Sequence, residues 1–222
     1  MSQLLSNLND FISELNTYHT NIDIVLATKY ASINDINTIS TANSTIIFGE
    51  NRVQEGKEKQ TAYPNIQNPW HFIGHLQRNK VKQVLGNYQL IHSVDSIRLM
   101  DEIERQATIK NIRPNILLQI NPLQEASKSG FNDTEIFKAI EHAQQFSMTT
   151  VTGLMVMAPL SDNPKPIENT FKKSRSIYDK INNESMPLTH LSMGMSNDYK
   201  IAINEGSTMI RIGSIIFKHV NN

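Results

Sequence analysis

Residues 191–217 read LSMGMSNDYKIAINEGSTMIRIGSIIF, a stretch that moves from a β-forming run through a loop with Ser192, Gly194 and Ser196 into a helical segment, and then into a second run ending at Gly213 and Ser214. Strand, polar turn, helix and strand in that order is the repeating unit of a parallel sheet with helical crossovers. Working outward, the same unit recurs along the chain. The β-rich runs are DIVLAT, TIIFGE, WHFIG, QLIHSV, NILLQIN, VTGLMVMA, LTHLSM and TMIRIGS, which makes eight. Between them lie segments of helical period such as SINDINTISTAN, NRVQEGKEKQ, SIRLMDEIERQATIK, DTEIFKAIEHAQQF and PIENTFKKSRSIYDKIN. Eight such units in this length predict an α/β fold, a single (β/α)8 TIM barrel; a doubly wound sheet is the alternative.

The N-terminal residues 1–17 carry Leu4, Leu5, Leu8, Phe11, Ile12 and Leu15 at the spacing of an amphipathic helix, so an extra helix leads the barrel. It has neither the basic start nor the unbroken apolar stretch of a signal peptide. No Pro/Gly/Ser-rich linker or composition shift divides the chain, and residues 1–222 are expected to form one domain. APLSDNPKP reads as a long loop at the edge of an active site.

Lys plus Arg total 21 and Asp plus Glu total 21. Nothing in that balance points to nucleic acid, a membrane surface or an acidic polymer, so a charged ligand needs a local site. The chain has no cysteine, which excludes disulfides, thiolate metal sites and a cysteine nucleophile. No run approaches the ~18 apolar residues of a membrane span. A cytoplasmic protein is expected.

The first strand ends in Lys29. Active sites of TIM barrels gather at strand ends, and side-chain alternation puts Lys29 on the face of Val25 and Ala27, opposite Ile24, Leu26 and Thr28. A lysine in such a mouth can serve as an amine nucleophile toward a carbonyl; a solvated lysine is the plainer alternative. By the same parity Asn51 shares the face of Gly49 as a neutral group at the mouth, or caps the next helix. Ser192, Gly194 and Ser196 after the seventh strand, with Gly213 and Ser214 after the eighth, suit the phosphate cradle common at that position, although Ser196 or Asn197 also reads as a helix cap. Alternation in STMIRIGS sends Met209, Arg211 and Gly213 inward. A buried arginine needs a partner: a phosphate, a heteroaromatic nitrogen, or an ion pair with Asp23 or Glu50. An amine, a phosphate cradle and an inward arginine match the aldehyde, phosphate and ring nitrogen of pyridoxal 5′-phosphate (PLP).

The segments VLATKYAS, FGENRVQE, WHFIGHLQRNKVK, IHSVDS, EASKSGF, GLMVMAP and LSMGMSNDYKIAINEGSTMIRIGSIIF resemble, in order from residue 25 to 217, the YggS/PROSC family of PLP-binding proteins, also called PLP homeostasis proteins. The resemblance implies a barrel like the N-terminal domain of alanine racemase, with Lys29 carrying PLP as an internal aldimine. It implies that Ser192, Gly213 and Ser214 hold the phosphate, that Arg211 faces the pyridine nitrogen, and that Asn51 and Met155 lie near the ring. It further implies a carrier in vitamin B6 homeostasis, with PLP-dependent apoenzymes as recipients, rather than an efficient enzyme. An amino-acid racemase or a Schiff-base lyase is the alternative. The chain ends soon after its eighth strand, so the second domain that supplies a racemase with one of its acid–base groups is expected to be missing. Two positions depart from the family pattern: Thr28 stands where serine is usual, and Lys218 where glycine is. His71 and His75 have a spacing that suggests a metal but no third ligand, and Lys128 sits in the loop after the fifth strand.

Overall fold

The computed structural model describes residues 2–18, 20–125 and 129–217. Lys128 and Lys218 lie outside the described residues. The strands are β1 (Asp23–Ala27), β2 (Ile47–Glu50), β3 (Trp70–Phe72), β4 (Leu90–Val94), β5 (Asn115–Ile120), β6 (Thr150–Val156), β7 (His190–Met195) and β8 (Met209–Ile212). All pair in parallel in chain order, and β8 returns to β1, so the sheet closes into an eight-stranded barrel. The TIM-barrel expectation holds, and the doubly wound sheet, which would leave two open edges, does not.

Alternation along each strand sorts the core into two shells. Val25, Ile47, Leu90, Leu117, Met155 and Met209 point inward and fill the barrel. The intervening residues, among them Leu26, Phe48, Ile210 and Ile212, pack outward under the helices. The helices are α1 (Gln3–Leu15), α2 (Ile33–Ala42), α3 (Val53–Ala62), α4 (Val81–Val84), α5 (Ile97–Lys110), α6 (Glu135–Ala143), α7 (Pro164–Glu184), α8 (Tyr199–Asn204) and α9 (Ser214–Phe217). Among the described residues no helix is long and apolar enough to cross a membrane.

The leading helix forms as the apolar spacing predicts. Ser2 caps it by accepting from the Leu5 N–H, and Leu4, Leu8, Phe11 and Leu15 are its buried face. That face packs near the barrel's closing seam: Phe11 meets Tyr199 edge-on at 5.2 Å, and Asn7 donates to the Ile216 carbonyl at 2.9 Å. α2, which follows Lys29, starts with a capping box in which Ser32 and Asp35 each satisfy the other's backbone N–H. The start of α2 is therefore fixed close behind the lysine.

Candidate active site at the C-terminal mouth

β1 stops at Ala27, and Thr28–Tyr30 form a single 3-10 turn. Strand parity therefore does not extend to Lys29. The turn carries it to the rim, where its side chain is exposed and its Nζ lies 4.6 Å from the centre of the Tyr30 ring. The turn itself is held from below. Thr28 is fully buried; its hydroxyl donates to Glu50 Oε2 at 2.9 Å and its carbonyl accepts from Lys59 Nζ at 2.8 Å. Lys59 also donates to Glu50 Oε2 at 2.7 Å, and Glu50 Oε1 accepts from the backbone N–H of Asn51 at 2.7 Å. A buried carboxylate, an ammonium and a threonine thus clasp the end of β1 to β2 and α3.

Lys29 lines a pocket of about 290 Å³ together with Tyr30, Arg211, Gly213, Ser214, the Met195–Asp198 loop and residues 158–160. The loop is turned over the mouth by Gly194, whose φ of +95° is strained for any residue with a Cβ. A Cβ there would also stand 2.6 Å from that of Ala202. Ser196 Oγ consequently faces the Gly213 N–H at 3.3 Å, and the first turn of α9 begins beside it at Ser214. Hydroxyls and backbone N–H groups here suit an anionic oxygen cluster. A Cβ on Gly213 would crowd that of Ala27 at 3.3 Å, so glycine eases the packing and leaves the backbone bare where a ligand would approach.

Arg211 points inward from β8, as the alternation predicts, and is nearly fully buried. Its Nη1 donates to the Ser192 carbonyl at 2.9 Å and to Ser192 Oγ at 2.7 Å, and its Nη2 donates to the Val156 carbonyl at 2.9 Å. Desolvation lowers its pKa to about 10, opposed by the nearby Asp198 carboxylate, so it stays charged at neutral pH. The ion pairs considered from sequence do not form. Glu50 is paired with Lys59, and Asp23 faces His190 at 3.8 Å at the opposite end of the barrel.

The other sequence candidates are dispersed. Ser192 is fully buried, with its hydroxyl engaged by Arg211 and by His92 Nδ1 at 3.1 Å, so it sits beneath the pocket. Met155 packs within the barrel interior. Asn51 follows the end of β2 and borders a separate groove with Arg52, His75 and Lys80; its Oδ1 is buried without a hydrogen-bond partner. His71 is buried in β3, whereas His75 is largely exposed and faces Asp95 at 3.6 Å. Among the described residues no group of acidic, histidine or cysteine side chains could hold a metal.

Ser196 was legible either as part of a phosphate cradle or as a helix cap; its place beside Gly213 depends on the two loops meeting. Lys59 gave no signal, because a lysine within a polar helix reads as solvated. His92 was likewise unremarked in QLIHSV.

His71 and His92 form a neutral buried pair. Burial drives His71 to about 3, and burial, aided by the nearby Arg211 guanidinium, drives His92 well below 6.5. Unfolded imidazoles take up protons below pH 6.5 while these do not, so stability is retained above that pH and lost as pH falls toward 3. Each should add about 1.4 kcal/mol per pH unit to the slope of unfolding free energy across that window. Urea titrations at several pH values check this: His92→Gln should remove about one proton's worth of slope, and an unchanged slope would show that His92 titrates normally.

The pocket gathers one primary amine, one buried cation and a cluster of hydroxyl and N–H donors. That set can hold a small anionic ligand with an electrophilic carbon and a ring acceptor. Residues 6–220 match the family described as alanine racemase, N-terminal domain. The chain is 40% identical over 172 residues to a pyridoxal phosphate homeostasis protein of Aquifex aeolicus, covering 77% of this chain and 75% of that protein. It is 38% identical over 203 residues to the pyridoxal phosphate homeostasis protein of a Synechocystis strain, covering 90% and 93%. The structure of PipY from Synechococcus elongatus PCC7942 with PLP bound superposes with a TM-score of 0.87 at 29% identity, over 96% of this chain and 99% of that one. The match runs over nearly the whole closed barrel, and the chain belongs to the pyridoxal phosphate homeostasis protein family, built on the alanine racemase N-terminal domain.

Proposed function

We propose that this chain binds PLP covalently through Lys29 and serves intracellular PLP (vitamin B6) homeostasis rather than efficient catalysis. The observation that carries the reading is the convergence of Lys29, Arg211 and the Ser196–Gly213–Ser214 donors on one pocket. When bound, PLP supplies an aldehyde carbon that condenses with an unprotonated amine with loss of water. Lys29 presents that amine from a turn anchored through Thr28. Gly213 and Ser214 hold the phosphate together with Ser196, while Ser192 supports the site by orienting Arg211. Arg211 would donate toward the ring nitrogen; Asn51 and Met155 do not line this pocket, and the family resemblance alone assigns them to the surroundings of the ring. A permanent cation at that nitrogen disfavours its protonation, which weakens the ring as an electron sink. This favours retention of PLP over turnover of amino acids. One domain over residues 1–222, a cytoplasmic location and PLP-dependent apoenzymes as recipients complete the proposal.

The absorption spectrum of the purified, PLP-incubated protein, taken before and after borohydride reduction, tests it. A visible band that reduction bleaches, with the pyridoxyl group mapping to Lys29, is expected. Pyridoxal lacking the phosphate should bind at least about tenfold more weakly, because charged-group hydrogen bonds contribute about 1.5–3 kcal/mol each. Equal affinity would remove the phosphate cradle. Turnover of amino-acid enantiomers at about 1 s⁻¹ or faster would instead favour a PLP-dependent racemase, and turnover of a phosphorylated sugar without any PLP band a Schiff-base lyase.

A further inference from the structure

Four buried side chains cross the barrel interior from β8 to β3. Arg211 Nη1 lies 2.7 Å from Ser192 Oγ, Ser192 Oγ lies 3.1 Å from His92 Nδ1, and His92 Nε2 lies 3.0 Å from His71 Nδ1. His92 and Ser192 are fully buried, and His71 and Arg211 are 6% exposed. No water-facing alternative is open to the inner members, so each proton must be accounted for within the chain.

The accounting has one solution that leaves nothing unpaired. A guanidinium only donates, so Ser192 Oγ accepts from it. The serine proton then needs an acceptor, and His92 Nδ1 is the one in reach. A bare Nδ1 on a neutral imidazole puts the His92 proton on Nε2, which aims at His71 Nδ1. That nitrogen must be bare too, so the His71 proton sits on Nε2, at the edge of the small cavity at the other end of the barrel, which also borders Asp23 and His190. The reverse direction fails at its first link: with Nδ1–H on His92, the serine hydroxyl would receive two donors and its own proton would be buried without an acceptor, a loss on the scale of a full hydrogen bond. An imidazolium in either position would add a second buried cation beside Arg211. Successive donors and acceptors pointing one way also polarise and strengthen each other.

We propose that His92 and His71, both as Nε2–H tautomers, form with Ser192 a one-way hydrogen-bond chain that positions Arg211 against the ring nitrogen of bound PLP. The last clause rests on the function proposed above; the tautomers do not. His92 is thus a positioning residue: it fixes the serine proton, the serine fixes one edge of the guanidinium, and the Val156 carbonyl fixes the other. The buried, neutral state of both rings agrees with their depressed proton affinities.

Two measurements test this. The first is ¹⁵N NMR of histidine-labelled protein without ligand, assigned by loss of signals in His71→Gln and His92→Gln. Both rings should show protonated Nε2 and bare Nδ1 from pH 5 to 8. A protonated Nδ1 on His92, or an imidazolium signal from either ring, would overturn the chain. The second compares binding of PLP with that of its analogue carrying carbon in place of the ring nitrogen. Wild type should prefer PLP by roughly tenfold, the worth of one good hydrogen bond to a charged donor. His92→Leu, which cannot accept from Ser192, should reduce that preference to about twofold. His92→Gln, which keeps one acceptor and one donor, should restore most of it. Equal weakening of both ligands in His92→Leu would mean a packing role only and would sink the positioning claim. If wild type binds PLP no better than the analogue, Arg211 does not address the ring. If it binds neither, the proposed function fails while the NMR result still decides the tautomers.

Discussion

A Lys29→Ala protein loses covalent retention of PLP: after incubation, borohydride reduction and peptide mapping, wild type carries a pyridoxyl group at Lys29 and the variant carries none. Lys29 is the described lysine that lines the mouth pocket. Lys59, the other lysine near this end of β1, is nearly buried and has its ammonium engaged by Glu50 and the Thr28 carbonyl. Removing the amine deletes the bond-forming group outright, so the effect is all or none rather than graded. The noncovalent donors at Ser196, Gly213 and Ser214 are untouched, so weak, phosphate-dependent binding should persist and be reversible on dialysis. Because the Lys29 side chain is exposed, its loss should change unfolding free energy by no more than about 0.5 kcal/mol, so failure to fold cannot mimic the result. A variant that still yields a reduced adduct in the barrel mouth would place the linkage on another residue.

The barrel was legible because each strand carries its period openly. Ile210 and Ile212 outward against Met209 and Arg211 inward is the same alternation that the structure shows in β8, and every one of the eight runs became a strand within a few residues. Lys29 was legible for a partly mistaken reason. It reaches the mouth from a turn beyond β1, and what holds that turn is Thr28, a residue read from sequence as outward-facing and as a departure from serine. Ser192 and Ser196 show the limit. Both are serines near the end of the seventh strand, yet one is a buried partner of Arg211 and the other lines the pocket. Separating them requires the exact end of β7 and the turn at Gly194, and strand ends are set by tertiary contacts that no local pattern encodes. The Glu50–Lys59 pair and the His71–His92 pair were invisible for a related reason: each joins residues from different elements whose local surroundings look ordinary.

Lys59→Met should destabilise the protein by about 3–5 kcal/mol, the usual cost of leaving a buried charge without its partner. Glu50 has no exposed surface, and its Oε2 receives the Lys59 ammonium at 2.7 Å and the Thr28 hydroxyl at 2.9 Å. Methionine matches the lysine stem in length and keeps its packing, so the loss isolates the ammonium. Without it, three backbone and hydroxyl donors remain on the carboxylate, too few to replace a full charge in a dry site. The carbonyl of Thr28 loses a donor at the same time, which loosens the turn carrying Lys29. Urea unfolding reads the first effect as a lower midpoint at unchanged m-value, and the second as slower covalent capture of PLP at a concentration that keeps the variant folded. The double variant Glu50→Gln/Lys59→Met removes both charges and keeps an acceptor for Thr28, so it should recover a large part of the lost stability while capture of PLP stays slow, since the Thr28 carbonyl is still unheld. A loss below about 1 kcal/mol in the single variant would mean that water reaches Glu50 and that the clasp does not hold the turn.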